Sequence, residues 1–136
     1  MTAQPDDDEL PIIDFVSPMP GFPEHRRFVL VRLDDDGLLY VLTSLHDSEV
    51  RFPVVPPAAF FRDYAPEIPL DTAQVLGVTE PDQVLVLLVI TAGESAAEST
   101  ANLLAPILIN RESRSAAQVV LTGSGLPVRA ELVAVA

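Results

Sequence analysis

The chain has no cysteine and no lysine, few positive charges and no long apolar run. Without cysteine there is no disulfide frame, no thiolate nucleophile and no thiolate metal site. Without lysine there is no Schiff-base amine, no lysine general base and no phosphate-loop lysine. The 8 basic side chains are all Arg and face 20 Asp and Glu, for a net charge of −12. A free-standing nucleic-acid binder needs the opposite sign, so direct binding to RNA or DNA is not expected. The longest apolar run, Val84 to Ile90, falls far short of the roughly 20 residues that span a bilayer. The acidic start, Met1 to Glu9, lacks the cationic and apolar segments of a secretory signal, and no basic amphipathic helix points to a membrane surface. A soluble, intracellular, strongly acidic single domain, monomeric when free, is the expectation.

What the chain does have is 136 residues that are 49% hydrophobic, enough for one domain with a real core. Residues 1–10 read as an acidic, mobile tail. Ile12 to Val16 is a short strand stopped by Ser17-Pro18-Met19-Pro20-Gly21. Arg27–Leu33 and Leu38–Thr43 are β-rich runs joined by Asp34-Asp35-Asp36-Gly37, a hairpin signal because glycine tolerates the positive φ of such turns. His46-Asp47-Ser48 turns the chain into Val50–Val55, where Pro53 implies an edge or a bulge. Pro57 suits the first turn of a short helix, and Asp71-Thr72-Ala73-Gln74 has the form of a capping box opening a helix from Thr72 to Leu76 that ends at Gly77.

Gln83–Thr91 is apolar on both faces, the mark of a central buried strand. Leu103–Ile109, interrupted by Pro106, and Gln118–Leu121 complete the strands, with a turn at Arg111–Ser115. The tail from Gly123 to Ala136 either docks a final strand or stays frayed. With 13 prolines bending so many strands, the predicted fold is mainly β: a small, partly open antiparallel β-barrel-like domain over residues 11–122 with one or two short helices.

The sequence is poor in catalytic parts. His25 and His46 sit in polar turns with no third ligand at a metal-site spacing. Asp34-Asp35-Asp36 lacks the spaced ligands of a calcium loop. Gly123-Ser124-Gly125 is not a nucleophile elbow. No metal or cofactor is expected. A small-ligand β-barrel or an enzyme with an unrecognised site is the alternative to a protein-binding module. The module reading rests on acidity and on apolar side chains in proline-fixed loops: Met19, Phe22, Phe60, Phe61 and Tyr64.

Four blocks of sequence stand in a specific order. They are Pro20-Gly21-Phe22-Pro23-Glu24 with Phe28-Val29-Leu30; Phe52-Pro53-Val54-Val55 with Pro57 and Phe60-Phe61-Arg62-Asp63-Tyr64; Val89-Ile90-Thr91 with Ser99-Thr100-Ala101-Asn102-Leu103; and Ala105-Pro106-Ile107-Leu108-Ile109-Asn110 with Gln118-Val119-Val120-Leu121. From about Ile12 to Leu121 this resembles the flagellar assembly factor FliW family. The resemblance implies a small cytoplasmic β-barrel-like protein that binds the translational regulator CsrA and relieves its repression of flagellin translation. Flagellin is the competing partner. The expected contact residues are Phe22, fixed between prolines, and Asn102 and Asn110, which flank the LLAPILI run. Either asparagine offers donors and acceptors to a partner or caps a turn.

Overall fold

The computed structural model describes residues 12–17, 19, 21–33, 38–61, 63–91, 93–94 and 98–132. The acidic tail, the Asp34–Gly37 turn and Arg62 lie outside the described residues.

Nine strands form among the described residues: β1 (Ile12–Phe15), β2 (Arg27–Arg32), β3 (Tyr40–Ser44), β4 (Arg51–Val55), β5 (Val84–Thr91), β6 (Thr100–Ala101), β7 (Ile107–Asn110), β8 (Ser115–Gln118) and β9 (Ala130–Glu131). One helix, α1 (Leu70–Leu76), and 3₁₀ turns at Pro57–Ala59 and Pro81–Gln83 lie between them. The strand order β4-β3-β2-β1-β8-β7-β5 returns to β4, so seven strands close a barrel. Two of its seams are short. β4 meets β5 only at Val54↔Val89 and Val55↔Leu88. β1 meets β8 only at Asp14↔Ser115 and Phe15↔Ala116, and there the strands run parallel. β6 and β9 extend the sheet beyond β5.

The strand periodicity explains the two-sided apolar runs. On β5, Leu85, Leu87 and Val89 face the barrel interior with Phe15, Phe28, Leu42, Val54, Ile107 and Ile109. The alternate residues point outward. Val84 and Val86 meet Leu76 and Val78 from α1 and its exit, and Leu88 and Ile90 meet Phe60, Phe61 and Tyr64. Thus β5 is covered on both sides, inside by the barrel and outside by the helix and the aromatic segment.

Several expectations are corrected. Pro53 is not among them: it pairs in the β3–β4 ladder, and the β4–β5 pairing begins only at Val54, so the proline stands at a local edge, as expected. Pro106 is not inside a strand: Leu103–Pro106 bends, and β7 starts at Ile107. β8 occupies Ser115–Gln118 rather than Gln118–Leu121. Its Ala116 and Ala117 carry weak β preference, which hides the strand in the sequence, yet both are buried in a tight barrel wall. The capping box at Asp71 does not form. Pro69, at φ −59°, places its carbonyl to accept from Ala73 N–H (2.9 Å), so the helix starts at Leu70. Asp71 Oδ1 then only accepts from the adjacent Thr72 N–H. Met19 is not a prominence; it is 4% exposed and packs inside the barrel end.

Other elements form where they were read. Gly77 ends α1 in the left-handed conformation, φ 73°. Pro57 opens its 3₁₀ turn. The tail returns through Leu126, and β9 pairs with β6, Thr100↔Glu131 and Ala101↔Ala130. No helix of the described residues is long and apolar enough to cross a membrane.

Candidate protein-interaction surface

A ladder of rings runs from the core to one end of the barrel. Phe15 and Phe28 stand edge-to-face at 5.3 Å, Phe28 and Phe52 at 6.0 Å, and Phe52 and Phe22 edge-to-face at 5.1 Å. Beyond Phe22 come His25 at 6.1 Å and then His46, 5.2 Å from His25. Phe22 is half-buried. Its loop is closed by Phe22 N–H donating to Met19 O (2.9 Å) and His25 N–H donating to Phe22 O (3.1 Å), with Gly21 at φ 87°. The ring is therefore held in a set position rather than projecting freely.

Below these rings Ser44 is 3% exposed. Its Oγ accepts from His46 N–H (3.0 Å) and Asp47 N–H (3.2 Å) and lies 2.8 Å from His25 Nδ1. The Ser44 hydroxyl and His25 Nδ1 are thus in hydrogen-bond contact, with the donor set by the His25 tautomer. The two N–H bonds to this buried hydroxyl fasten the turn between β3 and β4. His46 Nε2 is 3.8 Å from Glu24 Oε1 on the exposed rim. Among the described residues no three His, Asp or Glu side chains converge to hold a metal ion.

Both asparagines are engaged in turns. Asn102 Oδ1 accepts from Leu104 N–H and Ala105 N–H, each at 3.0 Å. Asn110 is 8% exposed; its Nδ2 donates to Leu76 O (2.7 Å), and its Oδ1 accepts from Glu112 N–H (2.9 Å) and Ser113 N–H (3.1 Å). The structure does not bring Phe22, Asn102 and Asn110 into one cluster of direct contacts. Tyr64 is tied down too: its hydroxyl donates to Leu103 O at 2.8 Å, and burial pushes its pKa up to about 12.

A second feature escaped the sequence reading. Residues 65–70 and 120–126 flank an open groove of about 950 Å³. It carries two exposed apolar side chains, Leu70 at 74% and Val120 at 55%. Leu70 was hidden by the expected start of α1 at Thr72, and Val120 by its assignment to a strand interior. Proline at both 66 and 69, which keeps the strap extended, was the available signal.

The profile of the FliW protein family matches residues 2–132, further at both ends than the four sequence blocks reach. The chain is 40% identical over 113 residues to the flagellar assembly factor FliW of Bacillus subtilis, covering 83% of this chain and 79% of that protein. It is 33% identical over 127 residues to the flagellar assembly factor FliW of a Geobacillus species, covering 93% and 88%. A crystal structure of the flagellar assembly factor FliW superposes with a TM-score of 0.83 at 27% identity, covering 97% of this chain and 89% of that one.

Proposed function

This chain belongs to the FliW family, and on that premise we propose that it is a non-enzymatic, cytoplasmic regulator that works by binding proteins. Its partners are CsrA and flagellin. Bound to CsrA it relieves repression of flagellin translation, and flagellin competes for it. The observation that carries the reading is the family match along nearly the whole chain.

The physical properties agree with that role. The barrel interior is filled by Phe15, Phe28, Leu42, Leu87, Ile107 and Ile109, each no more than 2% exposed, which leaves the outer surface as the working part. A net charge of −12 steers the chain toward a cationic partner and repels phosphate, so it opposes RNA on CsrA without touching RNA. By linkage, RNA must weaken FliW binding to CsrA by the same factor as FliW weakens RNA binding. Phe22 is proposed to touch a partner directly. Asn102 and Asn110 are proposed to contribute by holding the backbone of neighbouring turns in a binding shape.

Isothermal calorimetry of the purified protein with CsrA and, separately, with flagellin tests the reading. Binding of both, with flagellin displacing CsrA, is the expected outcome. Absence of binding to either tighter than about millimolar, where specific affinity effectively vanishes, defeats it.

A further inference from the structure

Resting on the reading that this chain acts by holding other proteins, we propose that the groove between residues 65–70 and 120–126 seats a cationic, apolar-faced segment of a partner, bound extended along Val120. Three observations lead there. The first is a backbone N–H left unpaired among the described residues. Val119 N–H donates to Pro106 O (3.0 Å) and Leu121 N–H donates to Leu104 O (2.8 Å). Alternation along an extended chain turns the N–H of Val120 to the other side. On that side β1 covers β8 only as far as the bond from Val16 N–H to Ala116 O. Beyond it, among the described residues, Val120 O accepts from Thr122 N–H (3.0 Å), and the Val120 N–H is left as the donor to which an incoming extended segment can pair.

The second observation is apolar surface beside that edge. Leu70 and Val120 are exposed, and Ile68, Leu121 and Leu126 lie half-buried between them. An extended segment places every second side chain on this face. The third is charge. Among the described residues, the only charged one lining the groove is Glu67; an adjoining groove of about 330 Å³ shares Glu67 and adds Glu80. No arginine among the described residues lines either. The side chains at the rim of the segment are therefore expected to be Arg or Lys, and an acidic segment is repelled.

The test uses fluorescence anisotropy with a short labelled peptide of alternating valine and arginine, and a comparator of alternating valine and glutamate. The arginine peptide is expected to bind the protein, more weakly as salt rises, and the glutamate peptide is expected not to bind. The double variant Leu70→Gln, Val120→Gln changes exposed side chains and no charge, and is expected to weaken the arginine peptide about tenfold or more through lost apolar burial. Glu67→Gln is expected to reduce the salt dependence. Leu33→Gln with Leu45→Gln, also exposed but away from the groove, is expected to change nothing. Failure of the arginine peptide to bind, or equal binding to the groove variant and the unaltered protein, overturns the proposal. The calorimetric titrations separate it from the reading it rests on. Partners that bind the unaltered protein and the groove variant alike defeat the groove and leave the proposed function. Partners that bind neither defeat the proposed function, while the peptide result still decides the groove.

Discussion

Asn110 joins three pieces of chain through one amide. It closes the β7–β8 turn with its oxygen and holds the last carbonyl of α1, that of Leu76, with its nitrogen. Removing it strands Leu76 O and two N–H groups, one acceptor of them in a buried place. Asn110→Ala is expected to lower unfolding free energy by about 1–3 kcal/mol, read by urea denaturation. Tyr64 gives a second prediction at this scale. Its phenol has a folded pKa of about 12 against 10.0 for an unburied one. Burial disfavours the phenolate, so above pH 10 the unfolded chain gives up this proton first. The stabilisation is complete below pH 10 and is lost as pH rises through 12. Unfolding of the native protein, followed from pH 9 to 12, is expected to lose stability relative to Tyr64→Phe over that window. Equal slopes for the two proteins would contradict burial of this hydroxyl.

The one α-helix among the described residues is stopped by backbone chemistry rather than by a side-chain cap. Gly77 ends α1 at φ 73°, a conformation that is strained for a residue with a Cβ. Gly77→Ala is expected to destabilise by roughly 1–2 kcal/mol, measured as a shift in the denaturation midpoint. The strands differ in how firmly they are held. β2 and β3 share five paired positions, whereas the β1–β8 and β4–β5 seams have two each. Local opening starts where few bonds must break. Hydrogen exchange is expected to be faster at Asp14 and Val16, which bond across the β1–β8 seam, than in the β2–β3 ladder. Uniform protection around the barrel would show that the seams are not weak points. Pro53 and Pro106 fit the same picture, since each stands where a ladder ends or has one side only.

For the molecule as a whole, charge and shape divide the work. The core specifies the barrel, and the −12 surface acts at a distance. The association rate with a cationic partner is expected to fall steeply between low and physiological salt, with the dissociation rate changing less; stopped-flow mixing at several ionic strengths measures both. Much of this was legible before any coordinates. The absence of Cys and Lys closed whole classes of chemistry, the acidic balance argued against a free-standing nucleic-acid binder, and the two-sided apolar run at Val84–Ile90 marked the central strand. Those properties belong to composition or to neighbours along the chain. Closure of the barrel was decided only in three dimensions, because β1 finds β8 and β4 finds β5 across long stretches of sequence, where packing rather than local preference selects the pair. The same holds for the burial of Met19 and Asn110 and, among the described residues, for the unpaired N–H of Val120. A side chain's identity limits what it can bond, but its neighbours, and hence whether any bonding capacity is left for a partner, exist only once the strands have met.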